Sequence, residues 1–203
     1  MIGPHDPDGP EIATARVSPR VSVWNLPNAL TMLRIALVPV FGWLLLTEPG
    51  DGSLRWWALV VFLLAIGTDW VDGYLARRYG LITDFGKLMD PIADKALIGT
   101  ALIGLSILDL LPWWVTVVIL VREVAITLMR FVVIRRGVIP ASRGGKLKTV
   151  LQAVGISIVL APVGGLLGDL GLWVMYLAAA VTLVTGIDYV RQAFAAPPPR
   201  PSR

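Results

Sequence analysis

The chain has 203 residues, of which 56% are apolar and only 16% charged, and its mean hydropathy is +0.73. That exceeds the roughly 45–50% apolar content of a soluble domain, so the composition excludes an ordinary soluble fold and fits an integral membrane protein. Cysteine is absent, which excludes disulfides and thiolate metal sites, and a net charge of +4 reads as membrane topology and attraction to anionic headgroups, not as a nucleic-acid footprint.

Residues 1–22 form a polar leader rich in Pro and Gly, expected to be disordered or interfacial, and its His5 has no catalytic surroundings. No basic start followed by an apolar stretch marks a cleaved signal. Residues 23–195 read as one all-α integral membrane domain of six transmembrane helices around a cytoplasm-facing polar cavity. A helix needs about 20 apolar residues to cross a bilayer core. Six segments meet that need, at 26–46, 54–79, 85–108, 112–135, 146–167 and 170–193. Turn residues separate them, in "TEPGDGS", "RYGLITDFG", "LDLLP", "RRGVIPASRGG" and "GGLLGDLG". The tail, 196–203, is expected to be disordered, and no internal repeat is visible.

Basic residues set the orientation. With the N-terminus in the cytoplasm, the inner loops collect nearly every Lys and Arg, while the outer flanks hold only Arg55 beside acidic Glu48, Asp51, Asp109 and Asp169. Trp56, Trp57, Trp113, Trp114 and Trp173 then fall in an outer aromatic belt. Both termini are expected on the cytoplasmic side of the cell membrane.

Thirteen uncharged residues separate Arg34 from Glu48, Arg55 from Asp69, and Lys95 from Asp109. Thirteen helical residues rise about 20 Å. Three alternating helices therefore bring their charges to one level, nearer the cytoplasmic end, and Arg122 and Glu123 reach a similar depth. Asp69 and Asp72 lie three apart, Asp90 and Asp94 four apart, so each pair shares a helix face. Facing lipid, the four would together cost on the order of 10 kcal/mol. They are expected instead to converge on a wet cavity with positive charge between them, and hard oxygen donors suit Mg²⁺ or Mn²⁺. The structural alternative is that Lys95, Arg77 and Arg78 neutralise them. Asp84 reads as a cap of the third helix. Gly73 and Ala76 leave either a packing notch or room for a flat ligand, and Gly86 near a helix start offers close approach and amide donors to a phosphate.

The stretch runs Asp69-x-x-Asp72-Gly73-x-x-Ala76-Arg77, eight residues, Gly86, three residues, Asp90, three residues, Asp94. It resembles the full signature of the CDP-alcohol phosphatidyltransferases at every fixed position. The flanks "NLPNALTMLRIALVPVF", "WWVTVVILVREVAITLMR" and "GKLKTVLQ" resemble the members that use glycerol 3-phosphate. Cardiolipin-forming members share much of them, and inositol-phosphate users share less.

The resemblance implies transfer of a phosphatidyl group from CDP-diacylglycerol to sn-glycerol 3-phosphate with release of CMP, in a homodimer. It implies two Mg²⁺ or Mn²⁺ ions on Asp69, Asp72, Asp90 and Asp94, with Asp94 also the general base. It implies that Gly73, Ala76, Arg77, Thr83 and Gly86 seat the CDP portion. Asn28 and Thr31 stand open between nucleotide contact and helix capping. The acceptor's phosphate needs cations, for which Arg34, Arg122, Arg130, Lys146 and Lys148 are the candidates. An ion-coupled transporter is the alternative of a different class, since it too can hold intramembrane carboxylates.

Overall fold

The computed structural model describes residues 25–47, 52–81, 83–134 and 144–195, with backbone alone at 130–134, 144–146 and 193–195. The leader, the tail and the turns at 48–51 and 135–143 lie outside the described residues. Within them the chain is all-helical. The helices are α1 Leu26–Thr47, α2 Ser53–Tyr79, α3 Asp84–Ile107, α4 Trp113–Ile134, α5 Gly144–Leu160 and α6 Leu166–Ala195.

Three stretches are long and apolar enough to cross a membrane: Leu26–Thr47, Ser53–Tyr79 and Leu166–Gln192. The other helices carry the charge or are shorter. α3 holds Asp90, Asp94 and Lys95, α4 holds Arg122, Glu123 and Arg130, and α5 has 17 residues. Outward faces are apolar, as lipid requires: Trp43, Val60, Leu64, Val121 and Val184 are all exposed.

Ten of the twelve helix ends fall within two residues of the expected ones, but α5 ends seven residues early, at Leu160 rather than 167, and α6 starts four early, at Leu166 rather than 170. The break lies in "APVGG", not in "GGLLGDLG". Pro162 cannot continue the backbone ladder, and Gly165 adopts φ 66°, a left-handed turn that a side chain would resist.

α1 packs most extensively on α2 and then on α3, α5 packs on α6, and α4 packs on α6. At one end the starts of α2, α4 and α6 meet the ends of α1, α3 and α5. Here Phe41 and Phe62 pack at 5.6 Å, within a cluster containing Leu45, Leu102, Leu105 and Ile156. Lipid tails are as apolar as these side chains, so close fit holds this end together more than escape from water does. Gly104 shows the fit: a Cβ there would stand 2.5 Å from a Leu45 methyl. Arg55, expected as an outer-flank charge, is buried. Its guanidinium donates to the carbonyls of Leu160 at 3.0 Å and Val159 at 2.7 Å, closing the free C-terminal end of α5. The opposite end of the bundle is polar and holds the candidate site.

Candidate active site

The expected level of charge is real, and its cation on the first two helices is Arg34. Its side chain is 1% exposed and forks between two carboxylates of α2, with Nη1 2.5 Å from Asp69 Oδ1 and Nη2 2.6 Å from Asp72 Oδ2. Asp72 is buried and Asp69 half exposed. The fork suits a guanidinium, whose planar donors match two acceptors at once. Its Nε is buried without a partner. The structural alternative named Lys95, Arg77 and Arg78 as counter-charges to the aspartates. None of the three forms an ion pair with them among the described residues: Lys95 bonds Thr127, and Arg78 bonds Tyr74.

A first cavity, of about 150 Å³, opens between α1, α2 and α3. All seven residues expected around the CDP portion line it: Asn28, Thr31, Gly73, Ala76, Arg77, Thr83 and Gly86. Asp72 and Asp90 line it too. A chain of hydrogen bonds ties its walls. Thr31 Oγ1 donates to Asp90 Oδ1 at 2.6 Å, and Thr83 Oγ1 donates to Asn28 Oδ1 at 3.0 Å. Thr83 is also the N-cap of α3, accepting from the Gly86 amide at 3.0 Å. Two expectations change. The cap is Thr83, while Asp84 is the first helical residue, pairing with exposed Lys87 at 2.9 Å. That hydrogen bond and the Lys87 charge hold the Asp84 carboxyl below the usual carboxylate range. The Gly86 amide is engaged by Thr83, so the glycine serves close approach: a Cβ would stand 2.9 Å from Asn28 Oδ1.

A second cavity, of about 140 Å³, lies between α3, α4 and α5. Asp94, Lys95, Glu123, Lys148 and Gln152 form its polar wall. Lys148 is paired with Glu123, and the same carboxylate oxygen takes Arg122 Nη1 at 3.1 Å. Arg122 turns the rest of its guanidinium to α6, donating to Thr182 O at 3.1 Å and Thr185 Oγ1 at 3.0 Å. Gly186 lets it pass, since a Cβ would meet the Arg122 chain at 3.1 Å.

Among the described residues, Lys148 alone of the five cations expected around an acceptor phosphate lines this cavity. Arg34 is held by Asp69 and Asp72, and Arg122 is bolted to α6. The side chains of Arg130 and Lys146 lie outside the described residues.

The aspartates thus divide between two compartments, with Asp72 and Asp90 on one and Asp94 on the other. They remain coupled. Asp72 is within electrostatic reach of Asp69 and Asp90, and Asp94 within reach of Asp69, Arg34 and Glu123. Their hard oxygen chemistry fits a divalent cation. Among the described residues no three acidic or His side chains close on one point, and Arg34 spans the first pair. Arg34 takes one oxygen from each of Asp69 and Asp72, which leaves the second oxygen of each for a cation.

The profile of the family described as CDP-alcohol phosphatidyltransferase matches residues 24–184. The chain belongs to the CDP-alcohol phosphatidyltransferase family. Both cavities and all four signature aspartates fall inside the matched region. Within the family, a probable phosphatidylglycerophosphate synthase of Mycobacterium tuberculosis is 52% identical over 181 residues, which is 89% of this chain and 87% of that protein. A CDP-diacylglycerol–glycerol-3-phosphate 3-phosphatidyltransferase of Bacillus subtilis is 41% identical, covering 82% of this chain and 94% of its own. A CMP-forming cardiolipin synthase of Streptomyces coelicolor is 39% identical, over 69% of this chain and 66% of its own.

Proposed function

We propose that this chain transfers the phosphatidyl group of CDP-diacylglycerol to sn-glycerol 3-phosphate, releasing CMP and forming phosphatidylglycerophosphate for phospholipid synthesis. One observation carries the reading. Two cavities share the signature aspartates, one lined by Asp72, Asp90 and every residue expected around CDP, the other by Asp94 and cationic Lys148. The relatives named for this reaction span most of the chain. Family membership sets aside the transporter alternative.

In this reading Asn28, Thr31, Gly73, Ala76, Arg77, Thr83 and Gly86 seat and orient the nucleotide. Asp94, on the acceptor side, takes the proton of the attacking hydroxyl while CMP departs from the other face. A carboxylate is a weak base for an alcohol. A loose transition state relaxes that demand, because the proton leaves late. Two Mg²⁺ or Mn²⁺ ions on Asp69, Asp72, Asp90 and Asp94 would neutralise diphosphate charge and make the hydroxyl more acidic. Lys148 provides positive charge for the acceptor's phosphate.

We further propose six spans in a bacterial cytoplasmic membrane, a homodimer, and a site and termini on the cytoplasmic side, on the distribution of Lys and Arg and the family resemblance. The chain has no cysteine, so single-cysteine variants at exposed ends report sidedness by labelling and self-association by cross-linking.

The deciding experiment supplies the purified full chain with CDP-diacylglycerol and, in competition, glycerol 3-phosphate, phosphatidylglycerol and inositol phosphate. CMP release with phosphatidylglycerophosphate as product is expected. Cardiolipin as the main product would establish the second reading, which the Streptomyces relative favours. Release that does not require added divalent cation after chelation would remove the ions.

A further inference from the structure

The acceptor-side cavity holds two ammonium groups, Lys95 and Lys148, and only one of them has a carboxylate. Glu123 serves Lys148 and Arg122 together. Lys95 makes no ion pair among the described residues. Its Nζ donates to the Thr127 hydroxyl, which passes its own proton to the Glu123 carbonyl at 2.7 Å. An ammonium has three donors, so two remain. A cation inside a largely apolar helix is costly without a counter-charge. Asp94 is the adjacent residue, but helical neighbours project about 100° apart, so both reach the cavity without pairing with each other.

We propose that Lys95 binds the phosphate of the acceptor and so selects a phosphorylated alcohol over a neutral one. This rests on the reading of the chain as a glycerol 3-phosphate transferase. The cavity sets the geometry. Asp94 shares the cavity with Lys95, Glu123, Lys148, Thr149 and Gln152, so with a hydroxyl presented to Asp94 the cations in the lining open to the acceptor's phosphate are Lys95 and Lys148. Lys148 shares its charge with Glu123, whereas Lys95 brings a full one. The diphosphate of the donor belongs to the other cavity, lined by Arg77 and Lys87.

The test uses the full chain in mixed micelles, with separate Michaelis constants for the two substrates. Lys95→Gln, or Lys95→Met should the amide variant fold poorly, is expected to raise KM for glycerol 3-phosphate about tenfold to a hundredfold, as loss of one charged hydrogen bond does. KM for CDP-diacylglycerol should stay within about twofold, and Lys95→Arg should recover most of the loss. Thr127→Val removes the tie between α3 and α4 but keeps the ammonium, and should leave KM for glycerol 3-phosphate near wild type. If Thr127→Val reproduces the Lys95 defect, or if both Michaelis constants rise together, Lys95 is a helix tie and the proposal fails. If the wild-type chain releases no CMP with glycerol 3-phosphate, the underlying reading itself falls, which the variant comparison does not touch.

Discussion

The two cavities at the polar end are built on different principles. On the proposed reading, the one between α1, α2 and α3 would select the donor chiefly by fit, with Asp72, Arg77, Lys87 and Asp90 also in its lining. Its walls are tied by hydroxyls and amides that each have a partner, and a single methyl at Gly86 would collide with Asn28. On the same reading, the one between α3, α4 and α5 would select the acceptor by charge. Its cations outnumber the one carboxylate that pairs them, and its wall hangs on Arg122 reaching to α6. A donor shared across a family suits a fitted slot. An acceptor that varies between members suits a pocket whose charge can be retuned by a few side chains.

The largest test of that division is Asp94→Asn. It faces the charge cavity, so donor binding should survive while product formation falls about a hundredfold to ten-thousandfold, the usual loss of a positioned base. CMP release under saturating substrates, with CDP-diacylglycerol binding measured alongside, checks both halves. Near-normal turnover would remove Asp94 from the chemistry.

Arg34 stands between the compartments, and removing it tests whether they are coupled. Arg34→Gln leaves buried Asp72 without its cation, a loss of about 3–5 kcal/mol for a fully buried pair. Asp69 is half exposed, so its arm contributes the smaller share. Unfolding should therefore come several degrees earlier, and divalent cation should restore more of the loss in the variant than it adds to the wild type. Equal shifts in both proteins would show that the aspartates do not share ions with Arg34.

Shape and charge can then be set against each other in one pair of variants. Gly86→Ala is expected to weaken donor use by about 1–3 kcal/mol through overpacking against Asn28, raising KM for CDP-diacylglycerol and sparing glycerol 3-phosphate. Lys148→Gln should do the reverse. If each variant moves both constants alike, the cavities are one site.

The same contrast explains what was legible from residues alone. The shape cavity sits largely in a compact signature, and seven of its twelve lining residues are legible from spacing and resemblance, together with the charged level that Arg34 completes. The charge cavity has no compact signature. Lys95, with Arg77 and Arg78, stands in the sequence only as an alternative structural counter-charge to the aspartates, and its ammonium bonds Thr127 instead. Arg122 read as an acceptor ligand because nothing local announces Thr182 and Thr185, some sixty residues on. Arg55 read as a flank charge for the same reason: its partners are the last carbonyls of α5, an end that was itself placed seven residues late.

The smallest expected effect comes from an aspartate outside both compartments. Asp84 belongs to the same helix as Asp90 and Asp94 and carries the same charge, yet its side chain is 99% exposed and pairs with Lys87. A carboxyl held low in the folded state contributes stability above its unfolded pKa and loses it as pH falls through the folded value. Screening by water makes that contribution slight here. Asp84→Asn should therefore leave both Michaelis constants within about twofold of wild type, with the acid limb of the pH profile unmoved. Asp90→Asn, six residues on and bonded to Thr31 inside the first cavity, should cut turnover sharply at every pH. A comparable defect from Asp84→Asn would mean that negative charge near the start of α3 matters in bulk, and that division into a fitted slot and a charged pocket is not what organises this end of the bundle.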